Sequence, residues 1–339
     1  MQAPRIFEEP PPEARELELP AFLEWLGGPA IFHLRGATSA RCRLLSGGLH
    51  GNEPSGFYAV HQLLRDPPPL PCDAVLLLGN VAAALSGRGF AHRLLPGEED
   101  MNRVWSRLSG TPQRELAGRI VGHLRDLPLE AIVDLHNNTG FNPIYAVVID
   151  RDVRRRQLGR IWTRLFVNYE GIRLGTFLEA FQEVPGVVIE CGQAGDPASD
   201  RRGLEGARSY LMAADPLTLE SVPGEDRMYR SLARVTIPDD VGVDFAEFPT
   251  GGADLTISPS IDRFNFEVLP EGTRLAHRGP RGRLLVSEDD GTVLTERFLE
   301  HRDDSIVTRC PIIPVMMTTN GAVAKSDCLL YVAEQLPDA

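Results

Sequence analysis

The stretch Arg41–Glu53, RCRLLSGGLHGNE, decides the fold class, because an apolar run passes directly into a glycine-rich turn. The run RCRLLS is typical of a buried strand. Pro54 is tolerated in the first turn of a helix, and Phe57, Val60 and Leu64 then recur at helical spacing. A buried strand that leads at once into a helix is the building unit of α/β proteins.

The same alternation continues on both sides of this stretch. Strand-like runs are PAIFHLRG before it and DAVLLLGN, EAIVDLH, PIYAVVID and GVVIEC after it. Helical patterns occur in PQRELAGRIVGHLRDL, around Arg154–Leu165 and from about Ser199 to Ala214. We therefore predict an α/β fold, with a mixed, largely parallel sheet flanked by helices. The first twenty residues, with the run PPP, are expected to form an extended lead-in that packs on something else.

The pattern changes after Pro216. The segments LARVTI, FNFEVL, RLLVSE and TVLTERFLE are typical of short antiparallel strands. We predict two domains, residues 1–216 with the α/β core and residues 217–339 as a smaller β-rich C-terminal lobe.

Composition excludes several classes of function. The 339 residues carry a net charge of −12, and nucleic acid is an unexpected partner because phosphate binding requires a basic surface. Lys325 is the only lysine, and it stands in the segment AVAKSDC. This segment does not resemble a phosphate-binding loop with its lysine, and it only weakly resembles the apolar surroundings of a Schiff-base lysine, which argues against both classes of enzyme.

Location is also constrained by the sequence. Five cysteines without a CxxC pair suggest neither a disulfide framework nor a cysteine zinc site, so a reducing compartment is expected. The N-terminus lacks the features of a signal peptide, and no apolar run approaches the ~20 residues of a membrane helix. We predict a cytoplasmic protein without a membrane partner.

Polar side chains that follow the predicted strands are the first candidates for a site, because ligands bind beyond the carboxyl ends of the strands in open α/β sheets. His50 and Glu53, on the glycine-rich turn, and His136, after EAIV, would give three ligands and leave one zinc position open. Each also has an ordinary structural interpretation, such as a surface histidine beside a glutamate that opens a helix.

Two further segments carry functional side chains. In GEEDMNRVW, Asn102 and Arg103 offer donors suited to a carboxylate, although the segment is also typical of a solvated acidic turn. In GVVIECGQ, Glu190 ends an apolar run, where a carboxylate is costly unless it is solvated or used in function.

Taken in order, HGNE, DMNR, DLH and IECG resemble the succinylglutamate desuccinylase/aspartoacylase family, whose core is similar to that of zinc carboxypeptidases. The resemblance covers about residues 40–195. It implies one Zn²⁺ per chain, a hydrolase function for residues 1–216, and a C-terminal lobe that shapes substrate access. It also implies a carboxylate-bearing N-acyl amino acid as the substrate, cleaved at its amide bond to a carboxylic acid and a free amino acid.

The resemblance assigns a role to each candidate residue. We also expect Asn137 to contact the substrate. His50, Glu53 and His136 are implied to bind the metal, and Asp100 to orient a ligand histidine. Glu190 is implied to act as general base and acid, and Arg93, or alternatively Arg88, to stabilise the oxyanion. Asn102 and Arg103 are implied to bind the substrate.

Departures from the family pattern limit the substrate. Ala180 stands where aspartoacylases carry an arginine that reads the aspartyl side chain, and Arg173 is the nearest arginine upstream. PVMMTTNGAVA lacks the tyrosine that the C-terminal lobe often presents, LLPGEE is longer than the usual spacing, and Val81 replaces a frequent proline. These differences argue against N-acetylaspartate and leave succinylglutamate open.

Two other functions fit the same residues. A zinc carboxypeptidase would use this site on short peptides, and an open groove at the entrance would favour it. A catalytically silent metal-binding protein would retain the ligands but usually lose the base, so Glu190 argues against it. Members of the family often self-associate, which makes a homo-oligomer one expectation, although the residues carry no independent signal for it.

Overall fold

The computed structural model describes residues 3–218, 225–249, 251–288 and 290–337. The strands are β1 (Arg5–Phe7), β2 (Ala30–Leu34), β3 (Cys42–Gly47), β4 (Asp73–Leu78), β5 (Leu129–Asn138), β6 (Tyr145–Val148), β7 (Leu165–Asn168), β8 (Gly186–Gln193), β9 (Arg227–Thr236), β10 (Val243–Phe245), β11 (Leu255–Ile257), β12 (Arg274–Arg278), β13 (Leu285–Ser287), β14 (Leu299–Arg302), β15 (Ser305–Thr308), β16 (Ile313–Val315) and β17 (Leu330–Gln335). The α-helices are α1 (Glu13–Glu16), α2 (Leu19–Leu26), α3 (Pro54–Arg65), α4 (Val81–Leu85), α5 (Pro112–Arg125), α6 (Val153–Gly159), α7 (Pro197–Met212), α8 (Thr295–Phe298) and α9 (Gly321–Ser326). Two 3₁₀ helices span Phe177–Phe181 and Ile261–Phe264.

The chain divides into two compact units. Among the described residues, unit 1 spans Met1–Asn137, Ile144–Phe166 and Glu170–Glu225, and unit 2 spans Asn138–Pro143, Val167–Tyr169 and Asp226–Ala339. Two short segments that lie well before position 216 therefore group with the C-terminal part. The functional assignment of the two predicted domains remains a prediction.

Unit 1 is built on a sheet with the strand order β1-β2-β4-β3-β5-β8-β6. Strand β3 pairs in parallel with both β4 and β5, β1 pairs in parallel with β2, and antiparallel pairs join β2 to β4 and β6 to β8. The prediction of an α/β fold with a largely parallel sheet is confirmed. The extended lead-in contains a strand, β1, and the sequence patterns did not indicate α2, which buries Phe22 and Leu26.

The long helices of unit 1 begin as their sequences suggest. Pro54, Pro112 and Pro197 each occupy the start of a helix, where a missing backbone N–H costs nothing. Thr111 and Asp196 cap α5 and α7 with side-chain oxygens that accept backbone N–H groups.

Strand order places a topological switch at β3. The chain runs from β3 through α3 to its neighbour β4, then returns through α5 to β5 on the opposite side of β3. In open α/β sheets, the crevice at such a switch lies at the carboxyl ends of the strands and binds ligands. The segments after β3 and at the end of β5 therefore meet at the expected place for a site.

Unit 2 is rich in short strands, as predicted. Strand β9 pairs antiparallel with β13 and β17, and β17 pairs antiparallel with β16. A second sheet has the order β10-β11-β12-β15-β14, in which β10 and β11 are parallel. The unit has its own buried core, which includes Val235, Leu255 and Val332.

Three predicted elements were wrong in detail. The helix expected over Arg154–Leu165 ends at Gly159, and Leu165 begins β7. FNFEVL is not a strand: its first residue ends a 3₁₀ helix and Phe266 has a φ of 66°. TVLTERFLE contains the short helix α8 before its last residues enter β14.

All five cysteines are free thiols, and four of them are buried. Within the described ranges, no helix combines the length and the apolar character required to cross a bilayer.

Candidate active site

The turn after β3 is shaped by its glycines. A Cβ on Gly47 would lie 2.7 Å from the Cα of Gly56, so strand end and helix α3 touch through their backbones. Gly48 has a φ of 66°, which glycine adopts without strain, and a Cβ there would meet the Phe57 ring at 2.3 Å. This close packing explains the sequence SGGLHGNEPSG and brings the residues after Gly48 to the sheet edge.

His50, Glu53 and His136 converge at this edge. The Nδ1 atom of His50 lies 2.7 Å from Oε1 of Glu53, and Nδ1 of His136 lies 2.6 Å from Oε2 of the same carboxylate. All three side chains are buried, and one ligand atom from each lies within 4.8 Å of the others. Among the described residues this is the only cluster of histidine, cysteine and carboxylate side chains with that geometry.

Each histidine contacts a second carboxylate through the ring nitrogen that does not face Glu53. Nε2 of His50 lies 3.0 Å from Asp100, the residue predicted to orient a ligand histidine. Nε2 of His136 lies 2.8 Å from Asp134, which is fully buried. A carboxylate that accepts Nε2–H fixes the tautomer and leaves Nδ1 as the coordinating atom, so both rings fit metal binding.

Sequence reasoning missed Asp134. The signal was present, because residues two apart in a strand point to the same face, and Asp134 and His136 are two apart in β5. An aspartate in the interior of an apolar strand is itself informative, since burial of an unpaired carboxylate is unfavourable.

Charges in the cluster shift the pKa values of its members. Burial by itself would raise the pKa of Glu53 and of Asp100, but neighbouring histidines lower both pKa values overall. Burial would lower the pKa of His136, but Asp134 and Glu53 raise it well above the usual value. Carboxylates thus outnumber the imidazoles they surround, a charge balance that suits a divalent cation held by two imidazoles and one carboxylate.

Arg93 borders this cluster, whereas Arg88 lies exposed in the turn after α4. The guanidinium of Arg93 donates to Asp100 over 2.9 Å and lies 3.6 Å from Oε1 of Glu53. About one third of the Arg93 side chain is exposed, at 34%. Arg93 therefore combines contact with the cluster and access from solvent.

Glu190 lies near the end of β8 and is 7% exposed. Burial raises the pKa of Glu190 to about 8, and the negative charge of Glu53 acts in the same direction, while His136 and Arg93 oppose the shift. A carboxyl group with a pKa close to neutrality is suited to exchange protons at physiological pH.

Asn102 and Arg103 follow Asp100 in the same loop. The amide oxygen of Asn102 accepts the backbone N–H of Phe177 over 2.8 Å, and its amide nitrogen lies 3.3 Å from Nε2 of His136. Arg103 is exposed and donates to the carbonyl of Asn102 over 2.8 Å. Arg103 is thus open to a ligand, whereas the Asn102 oxygen already has a partner.

Asn137 is more deeply engaged than the sequence suggested. Its amide oxygen accepts the backbone N–H of Ser55 over 3.0 Å, and its amide nitrogen donates to Oγ of Ser55 and to the carbonyl of Gly192. These partners belong to the protein, and the substrate contact expected of Asn137 remains a prediction.

Residues 40–201 match the sequence model of the succinylglutamate desuccinylase/aspartoacylase catalytic domain. Over these residues the chain is similar to the catalytic domain of that family. HGNE, DMNR, DLH and IECG all lie inside the matched range, so the resemblance drawn from these four segments is confirmed.

Solved structures of succinylglutamate desuccinylase/aspartoacylase proteins share the fold of this chain. A succinylglutamate desuccinylase/aspartoacylase from Rhodobacter sphaeroides aligns with a TM-score of 0.60 and 17% identity over 90% of this chain and 89% of that one. The succinylglutamate desuccinylase of Chromobacterium violaceum aligns with a TM-score of 0.54 and 18% identity, covering 90% and 87% of the two chains. Murine aminoacylase 3 gives a TM-score of 0.57 and 19% identity, covering 88% and 96%. No curated protein sequence matches the chain significantly.

The departures from the aspartoacylase pattern can be located in the structure. Ala180 is 5% exposed within the 3₁₀ helix Phe177–Phe181, and its carbonyl accepts a hydrogen bond from Arg125. Arg173 is exposed. This chain therefore has a small buried side chain at position 180, where the sequence comparison with aspartoacylases leads us to expect an arginine.

Proposed function

We propose that this protein is a zinc-dependent amidohydrolase that cleaves the amide bond of a small N-acyl amino acid. The observation that carries the proposal is the convergence of His50, Glu53 and His136, each histidine backed by its own carboxylate. Three such ligands leave a position open for water, as in catalytic zinc sites. The family match supports a deacylase, and the dependence on zinc and the cleavage of an amide bond are proposed here.

One Zn²⁺ ion bound by these residues would lower the pKa of a coordinated water and polarise the acyl carbonyl. Glu190 accepts a proton from the attacking water and later donates it to the departing amide nitrogen, so one carboxyl group serves both half-reactions. The raised pKa of Glu190, about 8, supports the second step because the protonated form is accessible near neutrality.

Two arginines contact different parts of the substrate. Arg93, 3.6 Å from Glu53, donates to the oxyanion that develops on the acyl oxygen. Arg103, exposed in the adjacent loop, binds the substrate carboxylate, assisted by the amide nitrogen of Asn102. Water is added across the C–N bond, so the products are a carboxylic acid and a free amino acid.

Substrate selection is expected to differ from that of an aspartoacylase. A buried alanine at position 180 offers no charge to a side-chain carboxylate. We therefore propose a substrate recognised mainly through its α-carboxylate and acyl group. A cytoplasmic location is part of the proposal and is supported by five free thiols.

The proposal is tested by a hydrolysis screen of N-acetyl, N-succinyl and N-formyl amino acids and of short peptides. The protein is stripped of metal with a chelator and assayed before and after zinc is added back. We expect turnover of an N-acyl amino acid that disappears with the metal and returns with zinc. Unchanged turnover in metal-free protein would refute zinc dependence, and a preference for peptides would indicate a carboxypeptidase.

The general base is tested by Glu190→Gln, which keeps the shape of the side chain. We expect activity to fall to background while the zinc content stays at about one ion per chain. Glu183→Gln is the matched control, since Glu183 is exposed in the turn before β8 and is expected to retain activity. An active Glu190→Gln variant would remove Glu190 from its role.

A further inference from the structure

The side chain of Asn137 joins two segments that carry active-site residues. Ser55 lies two residues after Glu53, at the start of α3. Its backbone N–H donates to the amide oxygen of Asn137 over 3.0 Å, and its Oγ accepts the amide nitrogen of Asn137 over 2.9 Å. Gly192 lies two residues after Glu190 in β8, and its carbonyl accepts the second amide proton over 3.1 Å. The amide of Asn137 thus links the strand of the general base to the turn of the metal ligands.

The backbone of Asn137 adds a third connection. Its N–H group donates to Oε2 of Glu53 over 3.2 Å, and the residue follows His136 directly. One residue therefore contacts the shared carboxylate, the first turn of α3 and the end of β8.

The hydrogen-bonding capacity of this amide is already used. A primary amide has two N–H donors, and both donors of Asn137 have partners in the protein. The residue is 4% exposed. A direct contact with substrate through these donors would have to break a buried hydrogen bond, whereas a supporting role requires no rearrangement.

The backbone of Gly192 supports the same interpretation. Gly192 has a φ of 114°, a conformation open to glycine but rarely adopted by other residues. The carbonyl that accepts the hydrogen bond from the Asn137 amide therefore belongs to a residue with a positive φ, two positions after Glu190.

We propose that Asn137 is a positioning residue that holds the Gly192 end of β8, and with it Glu190, at a fixed distance from the Glu53 turn. The inference rests on the proposed function, because it gives Glu190 the role of base. Asn137 acts through the strand and the turn that it joins and does not touch the substrate.

The test is Asn137→Ala in the full-length zinc-loaded enzyme, assayed with the best N-acyl amino acid from the screen. We expect kcat to fall about 10- to 100-fold, as is typical when a supporting residue of a metal site is lost, with KM within about twofold of wild type. Amide hydrogen exchange in peptides that cover β8 is expected to accelerate.

Ser55→Ala is the matched control. It removes two hydrogen bonds of Oγ, a buried one with Asn137 and a partly buried one with Asp200, but leaves the link from Asn137 to Gly192 intact. We expect kcat within about threefold of wild type and unchanged exchange in β8. An equal loss of kcat in both variants would overturn the proposal in favour of a general packing effect.

A second variant covers the case in which Asn137→Ala does not fold. Asn137→Asp still accepts the Ser55 N–H group but cannot donate to the Gly192 carbonyl, so the same fall in kcat is expected. A raised KM with unchanged kcat in either variant would make Asn137 a substrate contact and overturn the inference.

Failure of the proposed function is separable from failure of this inference. If the wild-type enzyme hydrolyses none of the substrates, the proposed function fails, and hydrogen exchange in β8 still tests the positioning role. Unchanged exchange in Asn137→Ala would then overturn the inference by itself.

Discussion

The two carboxylate–histidine pairs behind the candidate metal site are chemically alike but built differently. Asp134 and His136 stand on one strand, two residues apart, and the Asp134 side chain is fully buried. Asp100 lies in a loop, 50 residues after His50 in sequence, and is 17% exposed. The first pair needs only strand geometry, whereas the second depends on how a loop is anchored.

The loop pair has additional connections that the strand pair does not need. Asp100 accepts the Arg93 guanidinium over 2.9 Å and the backbone N–H of Asn102 over 2.7 Å. The same carboxylate thus orients His50 and fixes two residues proposed to meet the substrate. The strand pair is therefore rigid, whereas the loop pair connects a candidate metal ligand to residues proposed to bind the substrate.

Glu53→Gln breaks both pairs at their common partner and has the largest expected effect. Both Nδ1 atoms face the Glu53 carboxylate, so the loss of its charge removes one ligand and disturbs the other two. We expect zinc content well below one ion per chain and activity at background, measured by metal analysis and by the hydrolysis assay. Full zinc occupancy in this variant would contradict the ligand assignment.

Asp134→Ala tests the rigid pair. It removes the carboxylate that Nε2 of His136 contacts and leaves only Glu53 at Nδ1. We expect a loss of unfolding free energy of about 3 kcal/mol and a zinc affinity that is about 10- to 100-fold weaker. Denaturant unfolding of metal-free protein and zinc titration measure the two effects. A variant as stable as wild type would show that strand geometry alone holds His136.

Asp100→Ala tests the loop pair. Because Asp100 is partly exposed, we expect a loss of only about 1 kcal/mol in unfolding free energy but a roughly 10-fold weaker zinc affinity. A rise in KM is also expected, since Arg93 and Asn102 lose their anchor. If KM is unchanged, the loop pair does not couple metal and substrate.

Arg103→Ala has the smallest expected effect. The side chain is exposed and its interactions are screened, so KM for a carboxylate-bearing substrate is expected to rise about 3- to 10-fold, with the metal retained. Arg107→Ala, an exposed arginine in the same loop, is the control and should leave KM unchanged. Equal kinetics in both variants would move the carboxylate-binding role to another residue.

Elements with strong local signals were predictable from sequence. The turn around His50 and Glu53 was recognised because glycine, proline and an apolar run leave few alternatives. The sequence singles out His136 and Glu190 as candidates because strand ends in an α/β sheet share one edge. Asp134 was overlooked although strand periodicity alone would have paired it with His136.

Errors arose where distant contacts override local pattern. FNFEVL alternates like a strand, but its second residue, Asn265, is held by long-range hydrogen bonds to the backbone of Met317 and to the carbonyl of Phe141. The helix expected to reach Leu165 ends at Gly159, which packs closely against Ala146 of β6 and against the Phe166 ring of β7. The hydrogen-bond partners of Asn137 were equally unpredictable from the sequence, because Ser55 and Gly192 are distant from it along the chain.

The direct contact between Gly47 and Gly56 also constrains how this protein can evolve. Each glycine occupies the space that the other would need for a methyl group, so neither position can be relieved by a change at its partner. In a saturation library, both positions should remain glycine while the neighbouring helix surface accumulates substitutions. Changes in substrate preference are therefore expected at positions other than these two glycines.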